Sequence, residues 1–352
     1  MSGFVSGKSR QLTWTRLISV LLICAGLTAF VAILAPLLGV EQDRAGRHLQ
    51  LLGTAALDPA SMDHTILLLR IPRTLAALLV GGALAGAGCV LQALLRNPLA
   101  EPYTLGISSG ASLFAVIAIR IGLEEHFGGM AVGGASLVGA FTMLVMISRM
   151  ARVGRSMPPA TLVLAGVTIS MFCSAASSLI QTTSDFVDMN RMLRWMMGGL
   201  DSVQLGPVGY AAIPIVLGIL ILVGHSRVLN ALAAGPDVAA SLGVAVQRTE
   251  IIVFAVSSLL VGVAIAIAGP IGFIGLIVPH ALRAVIGPDH RLLVPASVFG
   301  GAILLVVCDT LARTIVAPSL LPTGAVTAVL GGPFFVAILI GQKRQAALWG
   351  RG

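Results

Sequence analysis

Ten stretches of almost uncharged, aliphatic sequence succeed one another along the chain, near residues 16–38, 74–95, 104–121, 129–148, 161–180, 207–224, 249–268, 271–286, 293–316 and 323–341. Most approach or exceed the roughly 20 residues that an α-helix needs to cross a bilayer. Inside lipid each backbone N–H and C=O must be satisfied within its own segment, so such runs fold as helices. Composition excludes the other readings. Hydrophobic residues make up 57% of the 352, and charged residues only 10%, against about 25% in soluble domains. Mean hydropathy is +0.99. A water-facing globule has no interior large enough for this much apolar surface, and disorder requires the opposite composition. The sequence therefore predicts one all-α polytopic membrane domain over 1–352, with about ten transmembrane helices.

The net charge of +8 would point to nucleic acid in a soluble protein. Here the basic residues lie between hydrophobic runs, with no aromatic-interleaved patch, and no nucleic-acid partner is expected. With the N-terminus inside and loops assigned alternately, most Lys and Arg fall on the inner side. Among the acids, only Glu101, Asp237, Glu250 and Asp289 join them. This is the positive-inside bias. It predicts both termini in the cytoplasm (tails 1–15 and 342–352), an outer segment 39–63 without a period of its own, and a cytoplasmic loop 225–248. The first run is too long for a signal peptide and reads as a retained span. Residues 191–200 read as a short surface helix.

No catalytic or nucleotide-binding constellation is visible. Residues 3–9 (GFVSGKS) resemble a phosphate-binding loop, but the glycines are one residue too close and no strand precedes them. The six histidines read as loop or helix-end residues, with His280 a packing residue beside Pro279. Cys24, Cys89, Cys173 and Cys308 all sit in apolar runs without metal or CxxC spacing and read as small core residues. If ATP drives this protein, another polypeptide hydrolyses it. Asp309 lies within the ninth run, one turn before Arg313. Intramembrane carboxylates are functional by default, but i,i+4 spacing also allows a simple local ion pair, and the latter is the reading adopted.

Small residues are dense, as at Gly82 and Gly86 or Gly129 and Gly133, and allow the close helix approach by which spans associate in lipid. The pattern LVGxAxAxAG occurs twice, at 79–88 and 260–269. The second and seventh runs that carry it are an odd number of crossings apart, hence antiparallel, as in inverted repeats. Arg70 and Arg73 flank Pro72 at the outer end of the second run. They suit either carboxylate capture or snorkelling at the interface. Residues 96–102, with two prolines, read as a structural turn. In 229–246, Gly235, Pro236 and Asp237 end one short helix and start another, and Gly243 ends the second. Val238 and Leu242 share a face there. The hairpin would either dock a partner or lie on the membrane.

These residues carry a resemblance. The stretches RIPRTLAALLVGGALAGAGCVLQALLRNPLAEPYTLGISSGAS (70–112), LVLAGV (162–167), MMGGL (196–200), LNALAAGPDVAASLGV (229–244), GPIGFIGLIVPHALR (269–283) and LPTGAVTAVLGGPFF (321–335) are similar to the FecCD family of ABC-importer permeases for ferric siderophores, haem and cobalamin. The resemblance implies a type II importer permease with an inverted repeat and no bound cofactor. It implies a second permease subunit, identical in a homodimer, two copies of a separate ATPase, and an extracytoplasmic binding protein that hands over an iron chelate. By position it implies that Arg70, Arg73 and Arg313 grip the binding protein. Leu232, Gly235, Pro236, Asp237, Val238, Leu242 and Gly243 would couple to the ATPase. Met157, Pro158, Pro159 and Ala160 would form the cytoplasmic gate, where the family often has small hydroxylated residues. The competing class is an ion- or proton-coupled secondary transporter, for which Asp309 is the well-placed carboxylate.

Overall fold

The structure is a computed structural model and describes residues 13–43, 46–51, 62–152, 154, 157–201, 203–317 and 319–349. In chain order the elements are α1 (Trp14–Leu37), β1 (Leu38–Asp43), β2 (Gly46–Leu51), α2 (Met62–Leu94), α3 (Ile107–Arg120), α4 (Leu123–Phe127), α5 (Ala131–Met150) and α6 (Pro159–Thr182). There follow α7 (Phe186–Met196), α8 (Leu205–Gly224), α9 (Ser226–Ala234), α10 (Pro236–Ser241), α11 (Val246–Ala268), α12 (Ile274–Ile286), α13 (His290–Thr314) and α14 (Thr323–Trp349). Among the described residues seven helices are long and apolar enough to cross a membrane, and α3, α12 and the first part of α14 are shorter apolar helices. Each of the ten expected runs falls on one of these ten. The protein is nearly all-helical and multi-pass.

Boundaries follow local chemistry. The side chains of Thr13 and Asp185 cap α1 and α7 by accepting from Arg16 N and Asp188 N, and Asp289 does the same for α13 through Arg291 N. Pro159 and Pro236 open α6 and α10, where a missing N–H costs nothing. Several expectations shift. The short helix after α6 lies at 186–196, set by the Asp185 cap, rather than at 191–200. The segment after α1 holds an antiparallel hairpin in which Leu38 pairs with Leu51 and Asp43 with Gly46. Its strands lack the alternation that would have revealed them. The C-terminal residues through Trp349 continue α14, because the sequence up to that point holds no further helix breaker after Gly341. The N-terminal tail expected at 1–15 lies mostly outside the described residues.

The core centres on α2. Ala76, Ala77, Val80, Ala83, Ala85 and Ala87 are fully buried on it, a helix apolar on all sides because neighbours surround it. It packs against α13, α11, α12 and α8. The packing scheme repeats: α2 on α13 mirrors α11 on α5, α2 on α12 mirrors α11 on α3, and α5 on α6 mirrors α13 on α14. The two LVGxAxAxAG segments occupy corresponding places. A Cβ at Gly81 would collide with the Gly301 carbonyl oxygen, so the α2 and α13 backbones touch. A Cβ at Gly262 would lie 3.0 Å from Ala140 of α5. The echo in the sequence is thus an inverted structural repeat.

Candidate functional site

Three regions bring together the residues singled out above. The first is at the end of the bundle that carries the β-hairpin. Arg73 Nε donates to both oxygens of Asp309, at 2.7 and 2.9 Å, and Thr323 Oγ1 donates to Oδ1 at 3.0 Å. Arg313 Nε stands at 3.9 Å from Asp309 Oδ2, an ion-pair distance without a hydrogen bond. The local i,i+4 pair is therefore the minor interaction. The carboxylate belongs to Arg73 on α2, and the sequence could not show this because the partners are 236 positions apart. Both Arg73 and Asp309 side chains are less than a tenth exposed.

Arg70 and Arg313 turn toward α1. Arg313 donates from Nη1 to Leu38 O at 3.0 Å and from Nη2 to Ala35 O. Arg70 Nη1 donates to Pro36 O at 3.1 Å. The last turn of a helix leaves its carbonyls without intrahelical donors and carries partial negative charge. Two cations satisfy both needs here. The arginines expected to face outward are thus engaged inside the mouth. Arg73 and the Arg313 side chain are buried and Arg70 is half-buried.

The second region is a cavity of about 640 Å³ bounded by α3, α6, α7, α14 and the non-helical link between α11 and α12. Glu101, Tyr103, Ser109, Ser170, Met197 and Phe273 are among its lining. The link turns on Gly269 and on Phe273, whose φ of 70° is unusual for a side chain of that size. Its first end is held by a backbone bond, Gly199 N to Ala268 O at 2.8 Å, and the start of α14 is tied to the same segment after α7 by Gly324 N donating to Gly198 O at 3.0 Å. Glu101 accepts a hydrogen bond from Phe273 N. Burial pushes the Glu101 carboxyl above the usual range, and the Phe273 N–H opposes the shift in part. Burial, with the nearby Glu101 charge, pushes the Tyr103 phenol up to about 12. Ser109 Oγ donates to Ser170 Oγ at 3.1 Å, linking α3 to α6. The rest of the surface is mostly apolar, with Val167, Met171 and Met196 beside small residues and the hydroxyl of Ser174. Reading 96–102 only as a turn missed Glu101. The available signal was a single acid between two prolines, beside the neutral Leu99 and Ala100.

The third region is the opposite end. In the α9–α10 hairpin Gly235 has φ 127° and Gly243 φ 81°, conformations that favour glycine. Pro236 starts α10 with Asp237 in its first turn. Val238 and Leu242 are exposed, 46% and 69%. Leu232 is buried, so it anchors the hairpin rather than facing outward. Asn230 of α9 holds the start of α13. Its Nδ2 donates to Asp289 Oδ1 at 2.8 Å, and its Oδ1 accepts from His290 N at 2.8 Å. Burial alone would raise the Asp289 carboxyl, but hydrogen bonds from Arg291 and Asn230 outweigh it and hold the group at about 2. At the α5–α6 turn Pro158 is extended and Pro159 opens the helix. Met157 packs partly on the core, and Ala160 is exposed. The hydroxyl at this turn is one residue beyond the expected gate: Thr161 Oγ1 donates to Ala151 O at 2.9 Å.

Residues 27–341 match the model of the FecCD transport family. The haemin transport system permease protein HmuU of Yersinia pestis is 39% identical over 293 residues, covering 81% of this chain and 86% of its own length. The vitamin B12 import system permease protein BtuC of Salmonella paratyphi A is 40% identical over 278 residues, covering 78% and 83%. A solved structure of a putative metal-chelate type ABC transporter in an inward-facing conformation superposes with a TM-score of 0.79 at 28% identity, covering 92% of this chain and 99% of that one. With the mouth, the cavity and the hairpin in place along one repeated helical scaffold, these matches assign the chain to the FecCD transport family.

Proposed function

We propose that this chain is the membrane-spanning permease subunit of an ABC importer, which passes an iron chelate, a ferric siderophore first among the candidates, from an extracytoplasmic binding protein to the cytoplasm. The observation that carries this reading is the cavity bounded by α3, α6, α7 and α14 in a chain whose relatives are haemin and vitamin B12 permeases. Its lining of small, hydroxylated and methionine side chains, with one acid and one phenol, offers few strong contacts. A passage for a large chelate handed on by another protein needs weak binding at many points.

In this reading the β-hairpin end faces outward, the termini and the α9–α10 hairpin face the cytoplasm, and the membrane is the cytoplasmic one. The binding protein docks over the mouth organised by Arg70, Arg73 and Arg313. Arg70 is the most accessible of the three and makes the direct contact with a partner carboxylate, while the other two set its position through Asp309 and α1. Val238 and Leu242 seat in two ATPase subunits, one for each permease of a homodimer. Residues 157–160 constrict the passage at the cytoplasmic side. ATP binding draws the paired hairpins together and biases two packings of the same helices, a coupling through a bistable element. The chain itself makes and breaks no covalent bond.

Secondary transport requires an intramembrane carboxylate free to bind an ion or proton. Asp309 is paired with Arg73, which removes the support for that reading. The test is uptake into proteoliposomes holding this chain, its cognate ATPase and its binding protein, with ferric siderophores, haemin and cobalamin offered in turn. ATP-dependent uptake that requires both partners is expected. Uptake by this chain alone, driven by an ion gradient, would overturn the proposal.

A further inference from the structure

α13 is anchored at both ends by polar contacts to different parts of the protein. At its start, Asn230 of α9 makes three contacts. Nδ2 donates to Asp289 Oδ1, Oδ1 accepts from His290 N, and the His290 ring Nδ1 lies at 2.8 Å from the same oxygen and donates to it. Asp289 in turn caps α13 and is gripped by the Arg291 side chain at 2.6 Å. His290 is 5% exposed. Nineteen residues further along, about 28 Å at helical rise, Asp309 is held by Arg73 of α2 and Thr323 of α14. Pro295 is the proline inside this helix and lies within its first turns, so most of the distance is uninterrupted helix.

The amide of Asn230 is suited to this place. One end donates to a carboxylate and the other accepts two N–H groups, so the side chain has a single satisfied orientation. A hairpin that moves must therefore carry the first turn of α13 with it, or leave the N–H groups of the buried His290 without their acceptor, and a buried donor left unpaired costs more than a made hydrogen bond contributes. Of the α9–α10 hairpin's side chains, Leu232 makes an apolar, non-directional contact with the core, whereas Asn230 fixes a direction.

We propose that Asn230 is the positioning residue through which displacement of the α9–α10 hairpin is transmitted along α13 to the Arg73–Asp309 mouth. The proposal rests on the importer reading above. It makes α13 the rod that couples the ATPase end to the mouth, with Asn230 as its lower joint and Asp309 as its upper one.

Three variants test it in the assembled complex of permease and cognate ATPase. Asn230→Ala removes the joint. Asn230→Asp places a carboxylate against Asp289. The double variant Asn230→Asp with Asp289→Asn restores a donor–acceptor pair of reversed order. In it the carboxylate now on α9 still accepts from His290, and the amide now at the helix start still caps α13. ATP hydrolysis and backbone hydrogen exchange at residues 306–317 are measured with and without vanadate trapping of the ATPase.

In the wild type, trapping is expected to change exchange at the outer end of α13. Asn230→Ala and Asn230→Asp should keep at least half of the hydrolysis rate yet lose that change, and the double variant should regain it. A merely structural residue would lower hydrolysis and exchange protection together and without rescue. Retention of the trapping response in Asn230→Ala, absence of the response in a hydrolysing wild-type complex, or failure of the double variant to regain it would overturn the proposal. A wild-type chain that forms no hydrolysing complex with the ATPase would instead refute the importer reading.

Discussion

Arg73 and Asp309 form a buried ion pair between α2 and α13, with the guanidinium Nε at 2.7 Å from one carboxylate oxygen and Thr323 completing the set. The pair ties the most buried helix of the fold to the last two helices of the repeat's second half. Its position beside Arg70 and Arg313, which close the end of α1, makes the mouth a single polar unit in an apolar protein.

Breaking this pair from one side leaves an uncompensated buried charge, at about 3–5 kcal/mol. Asp309→Asn keeps the shape and removes the charge. The variant is expected to melt well below the wild type in detergent, followed by tryptophan fluorescence. Arg73→Met together with Asp309→Leu should recover much of the loss, since apolar replacement of both partners is often neutral. Equal melting of wild type and Asp309→Asn would show that the pair contributes nothing.

The Gly81–Gly301 contact admits no side chain, because a Cβ at either position would collide with the opposite carbonyl oxygen. Gly81→Leu should force α2 and α13 apart and reduce the yield of monodisperse protein severalfold, with overpacking of about 1–3 kcal/mol or more. Gly26, which meets nothing within 4 Å, is the control, and Gly26→Leu should purify like the wild type. Size-exclusion profiles of the two variants decide the matter.

Glu101 carries a pH signature. Its folded carboxyl is raised above the ordinary value by burial. The unfolded chain therefore gives up this proton at lower pH than the folded one. The contribution of Glu101 to stability is complete below the unfolded value, about pH 4, and is lost as pH rises through the folded one. Glu101→Gln keeps an acceptor for Phe273 N and cannot ionise. The variant should melt higher than the wild type at neutral pH, and the difference should shrink toward pH 4. A constant difference across that range would exclude ionisation of Glu101 as its cause.

Val238 and Leu242 project from α10 without cover. Seating an aliphatic side chain in a partner groove contributes about 1.5–3 kcal/mol, roughly tenfold to a hundredfold in affinity. Val238→Asp with Leu242→Asp should abolish co-purification of the ATPase while leaving the permease monodisperse. Undiminished co-purification would remove this face from the interface.

Arg70→Glu reverses the charge of the most accessible cation of the mouth. Binding-protein affinity in nanodiscs should fall at least tenfold, and the wild-type affinity should weaken with added salt, which screens the approach of oppositely charged surfaces. An affinity indifferent to both would place docking elsewhere.

What the sequence by itself determined is whatever depends on local composition. Runs of aliphatic residues long enough for a bilayer can only be helices there, so the ten apolar helices, their order and the repeat of LVGxAxAxAG were legible. Gly235 with Pro236 marked the α9–α10 turn for the same reason, since each acts through its own backbone. Pairings between distant residues depend on packing, and only the tertiary structure decided them. Arg73 chose Asp309 over solvent, Arg313 chose the end of α1 over its helical neighbour, and Glu101 chose Phe273 N in a link that composition marked only as short. In each case a buried polar group must find a partner within a few ångströms, and which group stands there is set by how helices far apart in sequence come to lie side by side.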